Sequence, residues 1–283
     1  MEHFTLEYRI NYYTNNNLEE NILEENNFSN IPCFDNYFIS NEQSEHSSNY
    51  MKDIKKIFSN YKKYKILVIF GDNLNKNDYP CLAKARNLGE NKRILLKLNE
   101  HRHWGNIKHV NINDIAFNQK NNKLIWRGST LTGPKKNRSI FVKNIDSFKN
   151  VNFDFKHSIK NDKNSLTLNN QLKSKFLLSI EGNDVSSGLK WMLYSNSCVL
   201  MCKPTCCSWA MEDHLIPYYH YVPINDDFTD LEKQYEWCLQ NINKCEKIAL
   251  NGKRYIEQFL NVENERKITD SVIEHYLKIM KFK

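Results

Sequence analysis

The sequence contains no apolar run near the roughly 20 residues that a membrane-spanning helix requires. Its first stretch, MEHFTLEYRINYYTNNNLEENILEENN, has neither a basic n-region nor an apolar h-region. No secretory signal is therefore read there, and a cytoplasmic location is the expectation. There is no G-x-x-x-x-G-K-[ST] loop, no G-x-G-x-x-G fingerprint and no G-x-S-x-G elbow. Their absence sets aside the P-loop, the dinucleotide fingerprint and the hydrolase nucleophile turn. The 8 cysteines are irregularly spaced, which argues for reduced thiols and against a disulfide framework. Cys202, Cys206 and Cys207 look superficially like zinc ligands, but the second C-x-x-C pair of such a site is missing. No internal repeat is present.

Charge is also scarce in any one place. The formal net charge is +7 over 283 residues, with no arginine-rich block. Such a balance fits general solubility, or attraction to an anionic partner such as a nucleotide, an anionic glycan or a membrane surface. Peripheral membrane contact stays open. Nucleic acid is set aside, because no aromatic-basic motif or recognition helix accompanies the charge. Hydrophobic residues make up 40% and charged residues 26%, ordinary for a globular protein. Heavy use of Asn, Lys and Ile reads as the codon bias of an AT-rich genome.

The most informative stretch runs from Lys175 to Asp227. Phe176-Leu177-Leu178-Ser179-Ile180 is a short apolar run fit for a buried strand. A polar loop follows, Glu181 to Gly188, then a helical pattern, Leu189 to Leu193, and a second apolar run, Cys198 to Met201. Strand, loop, helix and strand make a βαβ unit, whose ligands bind beyond the carboxyl ends of the strands. Ser186 and Ser187 are expected to cap the helix, whose free N–H groups favour an anion.

Elsewhere, residues 1–50 read as loosely packed strands and loops. A helical face recurs through Met51, Ile54, Ile57 and Phe58. Tyr64 to Phe70 is a β-branched strand ending at Gly71-Asp72. Arg93–Leu98 and Lys108–Ile112 read as further strands, closing a first α/β domain at 1–117. A second domain, 118–283, opens with a strand at Lys123–Trp126. That strand runs into 127–133, a loop covers 134–138, a helix or strand begins at Ser139, and 144–171 is polar with little signal. Thr229 with Glu232 forms a capping box for a helix from Asp230 to about Lys244. Further helices are expected over 247–259 and 268–279, the last packing back on the first domain. Alternating strands and helices argue for an α/β fold with parallel sheets.

Several side chains could carry chemistry. Arg127 ends a strand, beside Gly128, Ser129 and Thr130, with Arg138 shortly after. A guanidinium there fits either a forked diphosphate clamp or a structural salt bridge. Glu181, Asp184 and Glu212 could hold ribose hydroxyls, or else cap helices and pair with Lys190 and Lys203. Asp72, at a strand's carboxyl end, could be a general base or an Asx-turn residue. His101, Arg102 and His103 precede Trp104 without the partners of a metal site, so no metal is expected.

These motifs carry a resemblance. IWRGSTLTG, the arginine of NRSIFV, KFLLSIEGNDVSSGLKWMLYSNSCVLM, SWAMEDHLIPYYHYVPINDDFTDLE and KIALNGKRYIEQF resemble the CAP10-like glycosyltransferases, family 90. The wording is most similar to the branch that modifies lipopolysaccharide. The resemblance implies a GT-B architecture, two Rossmann-like domains with the active site between them. It implies an inverting transfer of glucose or xylose from a UDP-sugar to a glycan or lipopolysaccharide-like acceptor, with no required metal or other cofactor. Asp72 matches the catalytic base. Arg127, Gly128, Ser129, Thr130 and Arg138 match the diphosphate pocket. Gly182, Asn183, Asp184, Ser186, Ser187 and Lys190 match the second nucleotide segment, with Glu181 and Glu212 beside it. His101, Arg102 and His103 fall on the acceptor side. Animal members carry an arginine where this chain has Gly188, leaving that phosphate contact absent or given to Lys190. The alternative is a catalytically degenerate fold that binds a glycan or nucleotide.

Overall fold

The computed structural model describes residues 3–15, 21–23, 33–34, 37–40, 47–61, 64–72, 74, 79–130, 136–158 and 163–282. The loop expected over 134–138 lies outside the described residues at 134 and 135; from 136 on the expectation is corrected, since the chain there is a helix, Lys136–Lys143. The chain divides into two compact units. The first comprises Met1–His101, Cys206–Met211 and Gln258–Lys283; the second comprises Arg102–Thr205 and Glu212–Glu257.

The first unit is built on a sheet whose central strand, Ile66–Ile69, is buried at all four positions. A continuous apolar run, Ile-Leu-Val-Ile, with no polar face fits a strand covered on both sides. Tyr37–Ser40 and Cys81–Ala83 flank it in parallel, and Arg93–Leu95 pairs with the latter, also in parallel. The carboxyl ends of these strands therefore share one edge. A polar knot ties the unit's distant segments together. Arg9 donates to Glu265 at 2.6 Å, the Trp209 indole donates to the same carboxylate at 2.5 Å, and Trp209 stacks on Tyr13 at 4.0 Å. Arg9 and Tyr13 stand on a helix, Leu6–Thr14, where the sequence suggested loops and strands. Its pattern is short, and Thr5 caps it by accepting from the Tyr8 N–H.

The second unit holds a five-stranded parallel sheet. In spatial order its strands are Val222–Pro223, Cys198–Met201, Ser174–Ser179, Asn121–Gly128 and Phe153–His157. The expected βαβ unit is present, with a helix at Leu189–Tyr194 between the strands Ser174–Ser179 and Cys198–Met201. Phe141 anchors the core, touching Trp126, Phe148, Phe155 and Phe228 at ring separations of 4.9 to 5.7 Å. Full burial of one such ring contributes about 1.5–3 kcal/mol.

Four local expectations are corrected. Residues 108–112 are not a strand; Ile107–Asn113 is a helix that buries Ile107 and Val110, spaced i and i+3, and leaves Ile112 exposed. The capping box at Thr229 does not form: the helix begins one residue later, with Asp230 as its cap residue, and the Thr229 hydroxyl donates to Asp227 at 2.8 Å. The helix that follows spans Leu231–Gln240, and a separate one spans Ile242–Glu257. Neither Ser186 nor Ser187 caps the helix Leu189–Tyr194 with its hydroxyl; Gly188 is the cap residue and the Leu189 N–H donates to the Ser186 carbonyl. The last helix, Val262–Ile279, starts earlier than its apolar spacing suggested and belongs to the first unit.

Candidate active site

In the second unit the strands Asn121–Gly128, Ser174–Ser179 and Cys198–Met201 deliver Gly128, Ile180 and Cys202 to one edge, the place where parallel sheets bind ligands. Arg138 joins two of the segments singled out from sequence. Its guanidinium donates to the Ile180 carbonyl and, at 3.3 Å, to the Ser129 carbonyl. Gly182 makes room for it, since a Cβ at 182 would lie 3.2 Å from Arg138 Nη1. Gly182 also closes a tight turn by donating its N–H to the Asp184 carbonyl at 3.0 Å. Asp184 is buried, and the neighbouring Asn183 keeps a buried Oδ1 with no hydrogen-bond partner among the described residues.

A small crevice opens beside this turn, lined by Ser179, Glu181, Ser186, Leu189, Met201 and Glu212 among others. Three of these, Glu181, Ser186 and Glu212, are residues the sequence pointed to. Glu181 accepts from Thr205, from the backbone N–H at 3.0 Å and from the hydroxyl at 2.5 Å. Glu212 meets Lys190 at 2.5 Å, with side chains 3% and 1% exposed. The Lys190 pairing left open by the sequence is thus the one to Glu212. Ser187 stands half-buried beside Ser186. Cys202 also lines the crevice, and burial, followed by Asp226, pushes its thiol up, away from the thiolate a metal would need. Gly188 is close to its own helix, where a Cβ would meet Met192 Cε at 3.0 Å.

Arg127 sits differently. Its Nε donates to the Asn164 carbonyl, Nη1 to the carbonyls of Trp126 and Asp154, and Nη2 to both carboxylate oxygens of Asp154 at 2.9 Å. Its five donors are all engaged inside the protein, the structural reading of a strand-end arginine. Gly128 is dictated by packing, because a Cβ there would lie 2.5 Å from the Trp126 ring. The Thr130 N–H donates to His157 Nε2 at 3.2 Å. Asp154 and His157 were missed from sequence, since their strand lies in the low-signal stretch 144–171.

In the first unit, Asp72 follows the strand Ile66–Ile69 through Gly71, whose φ of 79° is left-handed and suits glycine. Its carboxylate lies 2.5 Å from Lys84 Nζ, with side chains 25% and 4% exposed. Lys84 stands 6.0 Å over the ring of Tyr50, which stacks on Phe70. Nothing in the sequence marks Lys84. His101 and Arg102 are exposed on the short helix Glu100–Trp104, whereas His103 is buried. Among the described residues no three of His, Cys, Asp and Glu gather as a metal-binding group, and no helix is long and apolar enough to cross a membrane.

Comparison with known proteins bears on this edge. The model of the family described as Glycosyl transferase family 90 matches residues 100–283. The matched segment contains the whole second-unit edge; Asp72 and Lys84 precede it. The O-glucosyltransferase LpsA of Dichelobacter nodosus is 28% identical over 240 residues, covering 82% of this chain and 73% of that protein. Uncharacterized protein 179R of Invertebrate iridescent virus 6 is 30% identical over 105 residues, which are 35% of this chain and 9% of that protein. A crystal structure of a glycosyltransferase from Rickettsia africae ESF-5 shares 9% identity at a TM-score of 0.41, covering 85% of this chain and 83% of that one. That likeness is too remote to carry weight.

Proposed function

Because the chain belongs to glycosyltransferase family 90, we propose that it is a GT-B type, inverting enzyme that moves a sugar from a UDP-sugar to a hydroxyl of a glycan or lipopolysaccharide-like acceptor. Glycosyl transfer itself follows from the family; donor, stereochemistry and acceptor are the proposal. The observation that carries it is the second-unit edge, where Arg138 bridges the 129 and 180 backbones beside a crevice lined by Glu181 and Glu212. A cation fixed between two loops next to two carboxylates suits a nucleoside diphosphate, with phosphate toward the cation and ribose hydroxyls toward the acids. The relative named O-glucosyltransferase makes glucose the first sugar to test, with xylose next.

In this reading Asp72 removes the acceptor's proton as its oxygen attacks the anomeric carbon. The bond from that carbon to the UDP oxygen breaks, and the electron pair leaves with the diphosphate. Attack from the face opposite UDP inverts the configuration, as in inverting hydrolases where water takes the acceptor's place. Arg138 is proposed to stabilise the diphosphate, with the Ser186 and Ser187 hydroxyls and the backbone at Ser129 and Thr130 lending contacts. Lys190 acts by holding Glu212 rather than by touching phosphate. Exposed His101 and Arg102 are assigned to the acceptor. The reading calls for no metal, with Arg138 meeting part of the leaving charge.

The engaged donors of Arg127 favour a second reading, a family member that binds nucleotide or glycan without turnover. A panel of UDP-sugars and acceptor glycans, read by mass spectrometry, separates the two. UDP release with a sugar-extended acceptor supports transfer. UDP binding with no release from any donor supports the binding module.

A further inference from the structure

We propose that Lys84 is a positioning residue for Asp72, fixing the carboxylate through Oδ1 so that it meets the acceptor hydroxyl in one orientation. The inference rests on the reading of Asp72 as the base and adds a residue that neither sequence motifs nor family match supplies.

Sheet register creates the pair. Ile69 lies beside Ala83 in the parallel ladder, so the chain leaves both strands at the same level. The left-handed turn at Gly71 brings Asp72 across to Lys84, the residue after Ala83. A Cβ at Gly71 would meet nothing within 4 Å, so conformation and not crowding asks for glycine there. Tyr50 stacks on Phe70 at 5.1 Å and carries the ammonium 6.0 Å from its ring centroid, which walls Lys84 in.

The exposures of the two partners point to function. Lys84 is 4% exposed while the Asp72 side chain is 25% exposed. The cation is sealed and the carboxylate is reachable. Stability alone is a weak reason for this arrangement, since burying an ammonium is costly and an apolar pair would often serve as well. A reachable carboxylate held by a buried ammonium has one oxygen fixed. Such fixing is what a base needs, because small misplacement of a reacting group costs large factors in rate.

The test is a double-mutant cycle on the full chain, with UDP release from UDP-glucose as the readout. Lys84→Met is expected to lower kcat on the order of 100-fold with KM for UDP-glucose unchanged. Made on Asp72→Asn, the same substitution is expected to cost nothing further, because there is no base left to position. An equal fractional loss in both backgrounds, or a wild-type kcat for Lys84→Met, overturns the inference while leaving the base reading intact. Near-normal turnover by Asp72→Asn removes the base reading, and the positioning role with it. Should Lys84→Met fail to fold by circular dichroism, Lys84→Gln, which is polar but uncharged and one atom too short to hold Oδ1 as the ammonium does, is judged by the same cycle.

Discussion

Lys190 Nζ and Glu212 Oε1 lie 2.5 Å apart, with side chains 1% and 3% exposed, and Glu212 lines the second unit's crevice. A helix residue is thereby locked to a carboxylate more than twenty positions away. Breaking such a buried pair from one side is costly, because the remaining charge loses its countercharge in a poorly solvated place. Lys190→Met should destabilise the protein by about 3–5 kcal/mol. Lys190→Met with Glu212→Gln should recover most of that loss. Urea unfolding of the two variants measures both, and equal stability of single and double variants would refute the coupling.

Arg138 and Arg127 should part company. Arg138→Ala is expected to weaken UDP binding on the order of 10- to 100-fold, the loss of a charge-assisted contact. Arg127→Ala should change UDP affinity little and lower the melting temperature, since its donors serve Asp154 and Asn164. Calorimetric titration with UDP decides. A large affinity loss only in Arg127→Ala would reverse the assignment.

Gly128→Ala should destabilise by about 1–3 kcal/mol through overpacking. The new methyl would lie 2.5 Å from the ring of Trp126, a buried side chain with little freedom to withdraw. A melting temperature equal to wild type would show that the ring yields.

His220 gives a pH dependence. Its Nδ1 accepts the Ile216 N–H at 2.8 Å, its ring packs against Tyr255, and burial pushes its pKa down to about 4 from an ordinary value of 6.5. The unfolded chain therefore binds a proton in the window from 6.5 down to about 4 that the folded chain refuses. Stability is fully present above that window and falls as pH drops through it, by about 3 kcal/mol in all. His220→Gln should flatten the slope of unfolding free energy between pH 7 and pH 4. An unchanged slope would exclude His220 as its source.

How much was legible follows from where partners sit. The βαβ unit was readable because its strands are continuous apolar runs flanked by glycine and serine. Arg127 was correctly placed at a strand end, but Asp154 was invisible because its strand, Phe153–His157, mixes Phe with Asp, Lys and His. Ile107–Asn113 misled because a window of a few residues with alternating apolar positions fits helix and strand alike. Thr229 has the spacing of a capping box, yet the helix starts one residue later than the box requires, with Asp230 as its cap residue, while the Thr229 hydroxyl turns to donate to Asp227. Lys84 could not be found at all, since only the register of Ile69 with Ala83 brings it to Asp72.

Turnover of UDP-glucose by wild type and Asp72→Asn, each with its UDP affinity measured alongside, bears most directly on the proposed chemistry. General-base removal should cut turnover by about 10²- to 10⁴-fold while UDP binds as before. Asp72→Asn turning over at the wild-type rate would contradict it.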